Sequence, residues 1–490
     1  MNFPRAAGIL LHPTSLPGPN GIGELGIGAH RFLDALVEAG LRIWQMLPMG
    51  PTGYGNSPYQ CFSAFAGNPL LIQVSGAQAD FPTQRVEFER VIPYKQALLR
   101  QATESFVPDD GYLSFVAEQD WWLEDYALFM ALKQAHGGIA WTEWDAGASL
   151  RDPHALEDWG RRLAESVEHY RREQWLFFTQ FLALKQAARD RGIQLMGDLP
   201  IYVAHDSADV WSNPSLFKLD ERGHLLAQAG VPPDYFSATG QLWGNPIYDW
   251  EAMRAQGYDW WIWRMRAAFE LYDLVRIDHF RGFEAYWEVP GGEPTAVNGR
   301  WVTGPGAELL GTITERLGGG PLPIVAENLG VITPEVEALR ERFGYPGMSI
   351  LQFAFGSDAQ ANTFLPHTYP RAVVVYTGTH DNDTTLGWWS SAGAGDSTRS
   401  AEEVAKERDH AMRYLATDGQ EMHWTLIRTA LASVANTALI PMQDVLGLGS
   451  EARMNLPGRQ SGNWEFRFSW EQLTPEIVQR LRELVELYER

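Results

Sequence analysis

The 490-residue chain carries a single cysteine, Cys61. One thiol closes no disulfide within the chain and builds no cysteine-based metal site, a usage that suits a reducing compartment. Long hydrophobic runs are missing too: no stretch approaches the roughly 20 apolar residues that a membrane helix needs. The opening MNFPRAAGILLHPTSLPG has one arginine and a very short apolar run before His12-Pro13, too short for the apolar region of a secretory signal. A cytoplasmic protein with no membrane partner is therefore expected. Positive charge is scarce: 39 Lys and Arg face 61 Asp and Glu, a net charge of −22. Such a surface repels nucleic acid and suits a neutral or cationic small substrate. No GxxxxGK[ST] loop or dinucleotide fingerprint occurs, and Gly318-Gly-Gly320 is a turn with no helix after it. Cys61, within SPYQCFSAF, has no evident base beside it, which argues against a thiol nucleophile.

Aromatic residues are abundant: 20 Trp, 23 Phe and 17 Tyr. Most of these suit a core, and some Trp and Tyr could offer flat faces to the apolar C–H side of sugar rings. There is no short repeat and no low-complexity tract. What recurs is a helical pattern followed by a short apolar strand that ends in polar residues. Strands are expected at 7–11, 42–47, 194–198, 275–280, 323–327, 348–353, 371–376 and 437–440. Helical faces fall on Phe32, Leu33, Leu36 and Val37, on Trp175, Phe178 and Leu182, and on Trp261, Met265, Phe269 and Tyr272. Thr333-Pro334 reads as a helix start, and Ile477, Leu481, Leu484 and Tyr488 as a packing face. Eight strands, most of them separated by helices, are what a (β/α)8 barrel requires. The expected architecture is one catalytic TIM-type barrel over 1–490 with large inserted subdomains, mainly helical, at its C-terminal face. Residues 62–173 form the helical insertion between strands 2 and 3, while 199–259 and 283–306 border the active-site cleft.

Several of these strands end in an acid: Asp198, Asp278, Glu327 and, just after the seventh, Asp381. Residues at the C-terminal ends of barrel strands converge on one mouth. Each acid could by itself be a helix cap or an ion-pair partner, but four together, with Arg276 and His380 beside two of them, point to chemistry. Side chains alternate along a strand, so Arg276 and Asp278 share a face, which is costly in a buried strand unless the charges pair. His380-Asp381-Asn382-Asp383 lacks the alternate-residue pattern of a calcium loop, and no metal is expected. Glycosyl transfer fits better, because it uses one ionised carboxylate and one protonated carboxylic acid. Arg276 is placed to pair with Asp278, and the apolar approach Ile324-Val-Ala326 could raise the pKa of Glu327.

At these residues the sequence resembles a known family. VRIDHFRGF (275–283), VAENLG (325–330) and YTGTHDND (376–383) together are similar to the 4-α-glucanotransferases of glycoside hydrolase family 77, in the α-amylase clan. The likeness runs on through LLHPTSLPGPNGIGELG (10–26), GYGNSPYQCFSAFAGNP (53–69), MGDLPIYVAHDSADVW (196–211), GVPPDYFSATGQLWGNPIYDW (230–250), ALIPMQDVLGLG (438–449) and GNWEFR (462–467). One departure is visible, with Leu456 and Arg459 in RMNLPGRQSGNW where the family is expected to be more threonine-like.

The resemblance implies Asp278 as nucleophile, Glu327 as acid/base and Asp381 as transition-state stabiliser. It implies substrate binding by Arg276, His380, Asp198, Tyr59, Tyr54, Ser57, Trp243 and Asn328. Tyr54, Tyr235 and Trp243 are expected to stack sugars and exclude water. The implied activity is retaining transfer of α-1,4-glucan segments from maltooligosaccharides or amylose to other glucans or glucose, with no cofactor. An α-1,4-glucan hydrolase of the same clan is the alternative, and a non-catalytic glucan-binding protein a further one.

Overall fold

The computed structural model describes residues 3, 5–76, 79–233, 239–358, 360–393, 400–459 and 461–490. Eight parallel strands form its centre: β1 (Ala6–Leu10), β2 (Ile43–Gln45), β3 (Gln194–Pro200), β4 (Leu274–Asp278), β5 (Ile324–Ala326), β6 (Gly347–Ile350), β7 (Val373–Tyr376) and β8 (Thr437–Pro441). They are hydrogen-bonded in the order β6-β7-β8-β1-β2-β3-β4-β5. The seam between β5 and β6 is spanned by the Ala326 N–H, which donates to the Pro346 carbonyl at 2.9 Å. All eight expected strands are present, most of them shifted by one to three residues. The exception that matters is β3, which runs on to Pro200, so that Asp198 lies inside the strand and not at its end.

Alternation along the strands separates two apolar layers. Ala6, Ile43, Met196, Leu274, Val325, Met348, Val374 and Leu439 fill the barrel interior. Their strand neighbours, among them Trp44, Leu195, Val275, Ile324 and Val375, pack outward with the helices. The helix Ile27–Glu38 buries Phe32, Leu33 and Leu36 as its periodicity suggests, but Val37 is 47% exposed. The next barrel helix, Ala164–Asp190, passes residue 173 without a break and buries Phe177, Phe178, Phe181 and Leu184, leaving Leu182 38% exposed. Both misplaced residues sit at the edge of an apolar stripe, where one step of 100° decides burial. Thr333 occupies the N-cap of Pro334–Arg342 without a capping side-chain bond.

The segment after β2 carries the helices Phe88–Glu104, Asp110–Ala135 and Pro153–Arg162. Stretches after β3 and β4 join in an antiparallel sheet that the sequence did not announce. Its four strands run in the order Gln241–Pro246, Ala227–Val231, Ala285–Pro290, Arg300–Thr303. Among the described residues no helix is long and apolar enough to cross a membrane.

Gly8 lies where β1 meets β2, and a Cβ there would stand 2.2 Å from the Ile43 carbonyl oxygen. Main-chain atoms cannot rotate away, so Gly8→Ala must spread two barrel strands. It is expected to cost about 1–3 kcal/mol, read as a lower thermal unfolding midpoint.

Candidate active site

Above Leu274 the apolar filling of the barrel gives way to charge. Arg276 and Asp278 follow Leu274 at alternate positions, so both face inward. The Arg276 Nη2 lies 2.8 Å from Asp278 Oδ1. Strand register sets Asp198 opposite Arg276, and the Arg276 Nη1 reaches both Asp198 oxygens, at 2.7 and 2.8 Å. The Arg276 Nε points to the Met348 sulfur at 3.3 Å. Burial opposes the Arg276 charge, but Asp198 and Asp278 raise its pKa well above the ordinary value. Burial pushes the Asp198 carboxyl up, while Arg276 works against that shift.

From Asp198 the network turns to the loop after β2. The Tyr59 hydroxyl donates to Asp198 Oδ2 at 2.8 Å, and burial raises its pKa well above the usual phenol. The Tyr59 ring stacks on His380, with centroids 5.1 Å apart and planes 17° from parallel. His380 and Asp381 come from the loop after β7, and the His380 Nε2 lies 3.4 Å from Asp381 Oδ1. That same oxygen accepts from Asn455 Nδ2 at 2.6 Å. Asp381 remains about half exposed, whereas Asp198 is fully buried.

Glu327 directly follows β5. Its main-chain N–H donates to the Ile277 carbonyl at 3.0 Å, which ties it to the strand that ends in Asp278. Its Oε2 accepts from the His279 N–H at 2.8 Å and its Oε1 from the Leu329 N–H at 2.5 Å. Burial, opposed by Arg276 and assisted by the charge of Asp278, pushes its pKa up to about 7.

The remaining expected residues are more scattered. Trp243, on the strand Gln241–Pro246, meets the His279 ring edge-to-face at 4.8 Å. Ser57 sits two residues before Tyr59 and accepts from its N–H at 3.2 Å. Tyr54 is 70% exposed on a one-turn helix, Tyr54–Asn56. Asn328 is committed elsewhere: its Nδ2 donates to Glu337 at 2.7 Å and its Oδ1 accepts from the Met348 N–H at 2.8 Å, so it staples β5 to β6. Tyr235 lies outside the described residues.

Sequence reasoning missed three participants. His279 takes the left-handed conformation, φ 53° and ψ 47°. Asn455 holds Asp381, and Trp464 lies against Tyr59 and His380 at 5.8 and 6.0 Å. The motifs around all three are distinctive, but nothing in them says which partner each would find.

A paired carboxylate and a carboxylic acid of raised pKa at the C-terminal mouth of a (β/α)8 barrel are groups that an enzyme working on glycosidic bonds uses. Comparison with known proteins refines that class. The family model described as glycoside hydrolase 77, 4-alpha-glucanotransferase, matches residues 11–474. A 4-alpha-glucanotransferase of Thermus thermophilus is 52% identical, with all of both chains covered. One from Synechocystis is 50% identical over 99% of this chain and 98% of its own. The amylomaltase of Streptococcus agalactiae, solved in complex with acarbose, superposes with a TM-score of 0.93 at 38% identity over 99% of both chains. The chain belongs to the glycoside hydrolase 77 family of 4-alpha-glucanotransferases.

Removing one partner of a buried ion pair strands the other. Arg276→Met is therefore expected to destabilise the fold by about 3–5 kcal/mol. The loss should be larger at pH 8 than at pH 5. An uncompensated Asp198 has a folded pKa above its unfolded one, so the native state binds more protons and stability falls as pH rises. Thermal melts at the two pH values check this.

Proposed function

We propose that the protein transfers α-1,4-glucan segments between maltooligosaccharides or longer glucans, with glucose also serving as acceptor, through a covalent β-glucosyl enzyme. In this reading Asp278 attacks the anomeric carbon while Glu327 protonates the departing glycosidic oxygen. Glu327, now a carboxylate, takes the proton from the 4-hydroxyl of the incoming glucan, whose oxygen displaces Asp278 and restores the α link. A retaining reaction of this kind calls for carboxyl groups about 5–5.5 Å apart. Asp381 grips sugar hydroxyls and favours the distorted transition state. Arg276 and Asp198 orient Asp278, while Tyr59 and His380 form one wall of the reacting subsite. Ser57, Tyr54 and Trp243, with the insertions at 199–259 and 283–306, line the cleft. For Asn328 the role that fits its bonds is to hold Glu327's strand against β6.

The observation that carries the reading is the contrast between two carboxyl groups at one mouth. Asp278 is salt-bridged to Arg276, whereas Glu327 is buried with a pKa of about 7, able to give a proton in the first step and take one in the second. Transfer in place of hydrolysis requires that the acceptor sugar outcompete water by orientation and shielding.

Maltotriose tests the activity. Transfer yields glucose and a ladder of longer maltooligosaccharides, whereas a hydrolase yields shorter products only. Asp278→Asn should abolish both, and retained turnover would remove Asp278 from its role. Glu327→Gln should slow turnover about 10²–10⁴-fold. Donor cleavage needs protonated Glu327, so kcat/KM should fall as pH rises above about 7, and the Gln variant should lose that alkaline limb. Trp243→Ala should raise the ratio of released reducing ends to transferred glucan, measured on the same substrate.

A further inference from the structure

His279 follows Asp278 and adopts a backbone conformation that residues with a Cβ rarely take. The turn is held on its far side by the Gly282 N–H, which returns to the His279 carbonyl at 2.9 Å. Left-handed geometry sends the His279 N–H away from the strand ladder and onto Glu327 Oε2 at 2.8 Å. Its imidazole is wedged between two neighbours. A Cβ on Gly282 would stand 3.1 Å from the ring, closer than ordinary contact, and 2.8 Å from Ile201 Cδ1, so a larger residue there would press on the imidazole. On another side the ring meets the Trp243 indole at 89°, with centroids 4.8 Å apart. Loss of solvent pushes the imidazole down to about 4, so the ring is neutral at ordinary pH and is available as an aromatic surface, not as a charge.

We propose that His279 is the positioning residue for Glu327: its main-chain N–H anchors that carboxyl at Oε2 and tempers its hold on the proton, and the Trp243 indole, through the imidazole, holds the N–H in place. The inference rests on the reading that Glu327 is the acid/base. It joins the wall of the cleft to the proton-transfer group as one mechanical unit. An N–H aimed at a carboxylate oxygen favours the ionised form and so lowers the pKa. It works beside the charges of Arg276 and Asp278 on β4 and the second N–H, from Leu329. Without it, burial would hold Glu327 protonated at higher pH, which suits the first step and hinders the second. Strain at His279 is thus retained where it aims a donor, as at other functional turns.

The test is the alkaline limb of kcat/KM for the initial release of the leaving-group sugar from maltotriose, which reports the donor-cleavage step in which Glu327 gives its proton. His279→Gly keeps the N–H and tolerates the left-handed turn but removes the wedge. Its limb should move up by about one pH unit, the size of a charge-assisted hydrogen bond expressed as a pKa. Trp243→Ala should shift the limb in the same direction, Trp243→Phe should leave it in place, and the double variant should shift no further than the larger single one. An unmoved limb in both single variants, or shifts that sum in the double, overturns the proposal. If His279→Gly fails to fold by thermal melting, Trp243→Ala, which leaves the turn intact, decides it. Glu327→Gln separates the two readings. Full turnover with the limb intact would mean that Glu327 is not the acid/base, whereas a crippled Gln variant beside unmoved His279 and Trp243 limbs would sink the His279 link alone.

Discussion

The guanidinium of Arg276 is shared between Asp198, at the same level on the neighbouring strand, and Asp278, one step further up its own. A cation this deep in a barrel is tolerated only when its charge and its hydrogen-bond directions are satisfied. Here the two carboxylates supply both, and the Met348 sulfur covers the remaining edge. Two acids and one base leave the mouth negative. The Tyr59 hydroxyl, donating to Asp198, relieves part of that excess and draws the loop after β2 into the network. Tyr59 then carries the chain of contacts to His380 and Trp464, which belong to the loop after β7 and to the late loop around 464. Segments far apart in the chain are thereby referred to one buried charge.

Glu327 stands in a different environment, although the strands that carry it and Asp278 are adjacent. Its oxygens meet main-chain N–H groups, and burial dominates its proton affinity. One carboxyl lies against a guanidinium and the other is buried against main-chain N–H groups. Two chemically similar groups thus meet different surroundings at one mouth. A barrel makes this possible because each strand end has its own neighbours while all ends open on one mouth.

The walls around the mouth come from chain that the barrel itself does not need. Stretches after β3 and β4 pair with each other as an antiparallel sheet, and one of its strands delivers Trp243 to His279. Trp243 lies on the edge strand of that sheet, where the pairing with Ala227–Val231 is interrupted between Leu242 and Pro246. The same economy appears at Asn328, whose side chain joins β5 to β6 where the seam between those strands is otherwise spanned by the Ala326–Pro346 bond.

Hydrophobic periodicity is a local property of the backbone. For that reason the eight strands, most of the helices and the common face of Arg276 and Asp278 were legible in the sequence, and the motifs around 278, 327 and 381 pointed to the family. The edges of apolar stripes were less legible, as Val37 and Leu182 show, because a small rotation of the helix decides them. Pairings across the barrel could not be read at all. Asp198 and Arg276 are 78 residues apart, and only the register of β3 against β4 brings them level. The sheet built from two separate insertions, the left-handed turn at His279 and the commitment of Asn328 to β6 have the same origin. Each depends on which main-chain groups remain unpaired once the barrel has closed, and that is decided by tertiary structure.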